Sequence, residues 1–172
     1  LKNYRDRGHF ISSYPFPPYQ YDLFQMAITS LSEHNAFEGK HSSVGERSML
    51  GVFQEVSKKL KDKEVGGLAT FDLMFEGIRT ALKSSVQQSI QIAEKNLDDP
   101  FAVRVLKSLF LVKYVKGFKP SVRNIGILLL SDFEADQTDQ RRKIEEALSR
   151  LERETYIQRN GEVYEFLTNE EK

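Results

Sequence analysis

Apolar residues recur at three- and four-residue spacing along most of this chain, which predicts a series of amphipathic helices. Tyr21, Phe24, Ala27, Ile28 and Leu31 mark a first helix of about three turns, entered through the stiff SSYPFPPYQ and closed by the loop HNAFEGKHSS. A second helix is predicted from about Val44 to Leu60, with Met49, Leu50, Phe53, Val56 and Leu60 on one side, Ser43 and Glu46 as a capping box, and KDKEVGG ending it. Thr70 stands as N-cap of a long third helix whose stripe runs through Phe71, Met74, Phe75, Ile78 and Leu82 to Val86, Ile90 and Ala93. Asn96 to Asp99 closes that helix. Asp99 before Pro100 is an N-cap followed by proline at the first helical position, so a fourth helix through FAVRVLKSLFLVKYV follows, apolar on several sides and therefore deeply buried.

Beyond the turn KGFKPS, Ser121 caps a short helix containing Val122, Ile125, Leu128 and Leu129, and Asp132 to Asp136 breaks it. The next helix, Gln137 to Glu154, carries a narrow stripe of Ile144, Ala147, Leu148 and Leu151. Then the period changes from helical to alternating. Thr155–Arg159 and Glu162–Phe166 flank Asn160-Gly161, a strong signal for a hairpin with a type I′ turn, whose two central residues need positive φ. No internal repeat or low-complexity tract interrupts the pattern. The expected fold is mainly α: a helical domain over residues 1–97, then a domain over 98–172 in the order helix, short helix, longer helix, hairpin. That order resembles a winged helix, a helix-turn-helix variant in which Ile157, Tyr164 and Phe166 of the hairpin would close the open end of three helices.

Composition narrows the function. With 172 residues and 40% apolar content the chain can fill one large core or two small ones, and 25 basic residues balance 25 acidic ones. Anion binding must therefore be local. There is no cysteine, which removes disulfides and thiolate chemistry and suits a reducing cytoplasm. No apolar run approaches the roughly 18 residues of a membrane span, and LKNYRDRG is too charged for a signal sequence, so a cytoplasmic protein without membrane contact is expected. The chain starts at Leu1 without Met and stops at NEEK, which reads as an excised piece of a longer protein.

Enzyme signatures fail. At Gly39-Lys40 a phosphate loop would need glycine where His34 stands and Ser or Thr where His41 stands, after a strand rather than a helix. His9, His34 and His41 lack metal-ligand spacing, no G-x-S-x-G elbow exists, and Asp98-Asp99 is explained by capping, so no catalytic or metal residue is assigned. In a DNA-reading winged helix, Gln137, Gln140, Arg141, Arg142 and Lys143 would face a groove, with Arg159 near a phosphate. Against this, the longer helix together with the preceding Asp136 sets six acidic residues among five basic ones, the mixed pattern of a solvated face.

GERSMLGVFQEV raises a separate question, because Arg47 puts a positive charge in a helix's first turn, where the dipole is already positive. Its neighbours at three and four positions, Ser43, Val44, Leu50 and Gly51, include no acid. An arginine beside free backbone N–H groups suits an arriving phosphate. A helical module bearing G-x-R at a helix start, followed by a winged helix, resembles the lid and C-terminal domain of AAA+ ATPases of the origin-recognition initiator type. The resemblance implies that Gly45, Glu46 and Arg47 carry the nucleotide-sensing motif, with Arg47 touching the terminal phosphate. The stretches YPFPPYQYDLFQ, GKHSSVGERSMLGVFQE and VYEFLTNEE further resemble the large P-loop ATPase family of the BREX phage-defence system, called BrxC or PglY. That resemblance implies a regulatory fragment lying after an ATPase core that holds ATP and Mg. It implies as partners that core, double-stranded DNA and other defence-complex proteins. This chain has neither Walker motif, so it holds no cofactor of its own. Two other readings stay open: a winged-helix transcriptional regulator, and a protein-interaction adaptor without nucleotide.

Overall fold

The computed structural model describes residues 19–39, 51, 54, 70–130 and 136–172. The described chain is mainly helical and ends in a two-stranded antiparallel hairpin. In order, its elements are α1 (Tyr19–Glu33), α2 (Leu73–Ile78), a 3-10 turn (Arg79–Ala81), α3 (Ser84–Leu97), α4 (Pro100–Val112), α5 (Val122–Leu128), α6 (Gln137–Arg153), β1 (Ile157–Asn160) and β2 (Val163–Phe166). The helix expected from Val44 to Leu60 lies outside the described residues, apart from Gly51 and Gln54, both helical.

Helix α1 forms because Tyr19, Leu23, Phe24, Ala27, Ile28 and Leu31 fall within one half of its circumference, and all are buried. Tyr21, assigned to that stripe from the sequence, lies at its edge and is 40% exposed. The helix ends with Asn35 in the left-handed region (φ 59°), where the Ala36 N–H reaches back to the Leu31 carbonyl at 3.0 Å and satisfies a terminal acceptor.

The long third helix expected from Thr70 is broken. Thr70 is not its cap: α2 begins after Asp72, whose side chain makes no capping bond. The break comes at Leu82, which is extended (ψ 154°) and forms an antiparallel bridge with Phe37. Glu38 N–H donates to Ala81 O at 3.0 Å and Lys83 N–H to Ala36 O at 2.9 Å. These bonds replace helical ones, so the interruption leaves the backbone satisfied, and the fully buried Leu82 keeps the apolar stripe continuous. The pattern of side chains survives a break that it cannot reveal.

Helix α4 follows the sequence reading closely. Asp99 accepts from the Ala102 N–H at 3.2 Å, Pro100 occupies the first turn, and nine of its residues from Ala102 to Val112 are buried. It is the central element. One face meets α1, α2 and α3, another meets α5, α6 and β2, and a single buried cluster runs from Tyr19 to Phe166. Further bonds cross the same centre: Tyr19 Oη donates to Ile127 O at 3.0 Å and Phe71 N–H to Leu128 O at 2.8 Å. His34, at the end of α1, stacks on Tyr114 with ring centroids 3.8 Å apart.

The hairpin is shifted by one residue from expectation. Asn160 pairs with Val163, so the two-residue turn is Gly161–Glu162 rather than Asn160–Gly161. Only Gly161 has positive φ (65°), at the first central position, where a type II′ turn places glycine. Ile157, Tyr164 and Phe166 are buried against the helices as expected. Among the described residues no helix is long and apolar enough to cross a membrane.

Candidate nucleic-acid interface

Helix α6 starts at Asp136, whose carboxylate accepts from the Thr138 N–H at 2.9 Å. Ile144, Ala147, Leu148 and Leu151 turn inward, and that choice fixes where every other side chain of the helix points. The five residues expected to face one groove are consequently divided among several surfaces. Gln137, Gln140 and Arg141 border a groove of about 510 Å³ between α5 and α6, floored by Ile127, Leu130 and Ile144. The Gln140 amide is engaged there, donating to the Gly126 carbonyl at 3.4 Å.

Arg141 also lines a second trough, of about 570 Å³, between α6 and the hairpin. Arg159 joins it there from β1, and Arg123 from the start of α5. Ser121, Glu145, Ser149, Glu162 and Tyr164 complete the polar lining. Arg159 is held in place, its Nε donating to Gly161 O at 2.8 Å and its guanidinium lying 5.8 Å from the Tyr164 ring centroid. Arg141 Nε is 3.0 Å from Glu145, one turn along its own helix. Arg123 is exposed and has no ion-pair partner among the described residues.

Arg142 is directed elsewhere. It bonds to Asp139 at 2.7 Å and Glu146 at 2.8 Å, and the Asp139 contact raises the guanidinium's pKa while lowering that of the carboxyl. Lys143 borders a third depression with Phe101, Glu146, Arg150 and Arg153, and sits 3.5 Å from Asp139. The structure thus brings together Arg141 and Arg159 of the expected set and separates Arg142 and Lys143 from them. Arg123 was missed because it sits in a short helix read only for its apolar positions; its place two residues after the Ser121 cap was the available signal. Gly45, Glu46 and Arg47 lie outside the described residues.

A second cluster of charge is architectural. Lys107, only 11% exposed, reaches Glu76 at 2.7 Å and Glu94 at 3.3 Å, and Arg79 bonds to the same two carboxylates. Burial pushes Glu76 upward, but Lys107 and Arg79 together outweigh it and hold the carboxyl below its ordinary value. Arg79 does the same for Glu94. Among the described residues no group of acidic or histidine side chains is placed to hold a metal ion. No family model matches the chain, and no solved structure matches it.

Proposed function

We propose that residues 98–172 form a winged helix that engages double-stranded DNA through the trough between α6 and the hairpin. One observation carries the fold reading. Ser121 bridges Val163 antiparallel and Tyr164 N–H donates to Pro120 O at 3.0 Å, so extended chain between the first and second helices adds a third edge to the hairpin. A winged helix needs that edge, whereas a plain three-helix bundle does not. Arg141 and Arg159, supplied by the helix and the hairpin, give the trough cations suited to phosphate.

The sequence resemblance supports the wider role: a regulatory lid and winged helix of a P-loop ATPase in BREX phage defence. In that role the parent's core supplies ATP and Mg, and Arg47 senses the terminal phosphate. Arg47 favours the closed lid only if ATP gives it a contact that ADP lacks. In the intact parent, Arg47→Ala is expected to depress ATP turnover while leaving thermal unfolding unchanged; unchanged turnover overturns the sensor role. For DNA, anisotropy of a labelled duplex titrated with the chain is expected to show binding that weakens as salt rises.

The adaptor reading has an observation of its own. Arg141, Arg142, Lys143 and Arg150 each pair with an acid on α6 or at its end, the pattern of a surface already neutralised. Absence of duplex binding at low salt would favour it.

A further inference from the structure

We infer that the trough holds DNA by backbone phosphates alone, reads no base, and uses Arg123 as its third contact, with Glu145 restraining affinity. This rests on the winged-helix reading above. Three guanidiniums reach the trough from three separate elements, α5, α6 and β1. Such a spread suits successive phosphates along a strand better than the edge of one base pair. Of the residues expected to face a groove, those able to read adenine by paired hydrogen bonds are Gln137 and Gln140, and both border the adjoining groove, which Arg123 and Arg141 also line and where Gln140 already donates to Gly126. The remaining lining offers Val122, Tyr164, Ser149, the two carboxylates and Ser121, whose hydroxyl already accepts from the Asn124 N–H at 3.2 Å.

Those carboxylates set the strength. Glu145 and Glu162 leave the trough with one net positive charge against three arginines, and Glu145 occupies Arg141 Nε. A phosphate must displace Glu145 to reach Arg141 Nε. Arg123 meets no such competitor, which makes it the first contact to form.

The test is anisotropy of the 172-residue chain on several unrelated duplexes of equal length over a range of salt. Affinities are expected to agree within about threefold, with a log–log salt slope of about −2.7 for three phosphates. Arg123→Ala should weaken every duplex about equally and flatten the slope by about 0.9, while Arg123→Lys should restore it. Glu145→Gln should tighten every duplex. A duplex preferred by about thirtyfold or more, or an Arg123→Ala slope equal to that of the unaltered chain, overturns the backbone-only mode and leaves DNA binding intact. Failure to bind any duplex overturns the DNA reading itself and this inference with it.

Discussion

Thr155 holds a conformation that its side chain disfavours. Its φ of 67° lies in the left-handed region, and it closes α6 with the Tyr156 N–H bonded to Leu151 O at 3.0 Å. Glycine would adopt that geometry without steric cost, and Thr155 is exposed, so Thr155→Gly should raise stability by about 1 kcal/mol in urea titration. Lys113 is the opposite case, a cation whose side chain is 2% exposed yet fully partnered. It donates to Phe166 O at 2.6 Å and pairs with Glu165 and Glu171. Burial alone would lower the lysine's pKa, but the two glutamates outweigh it and raise it. Glu171 is likewise lowered despite its own burial, by Lys113 and Thr168. The signs work out as a plateau. The lysine's contribution is lost only as pH rises past its ordinary 10.5, and the glutamate's only as pH falls below its ordinary 4.5. Lys113→Met should cost about 1–2 kcal/mol near neutral pH, since both glutamates stay partly hydrated, and should reduce the loss of stability seen in acid. Urea midpoints measured from pH 3 to 7 would check both.

At the scale of elements, helices α4 and α5 were legible because capping and periodicity agree in each, Asp99 with Pro100 and Ser121 with Val122, and α6 was legible from its Ile144 stripe, while its cap, Asp136, was read only as part of the preceding break. The break at Leu82 was not. Its cause is a pairing with Phe37, 45 positions earlier, and no local signal records a distant strand-like partner. The hairpin's existence was legible but not its register, because Asn-Gly suits one turn frame and the bridge of Val163 to Ser121 favours another. Leu82 is fully buried at this junction, so Leu82→Ala should cost about 2–5 kcal/mol, read from the urea midpoint. Of the candidate site, the sequence held the residue types but not their directions. Arg141 and Lys143 are two positions apart, and a helix sends them to different depressions.

For the molecule as a whole, the shared core matters more than any one contact. α4 packs on both sides of the expected boundary between residues 97 and 98, and Lys107 and Arg104 tie it to Glu76, Glu94 and Asp72. A fragment starting at Asp98 is therefore expected to expose the face that α1 to α3 cover and to melt at lower temperature than the whole chain, as circular dichroism would show. The buried helix has a mechanical consequence as well. Only Asp98 and Asp99 separate α3 from α4, and the described elements before and after that junction grip the same rod. A displacement imposed on α1 to α3 meets no pivot at that junction, so the arginine-lined trough would swing with it as the far arm of one lever.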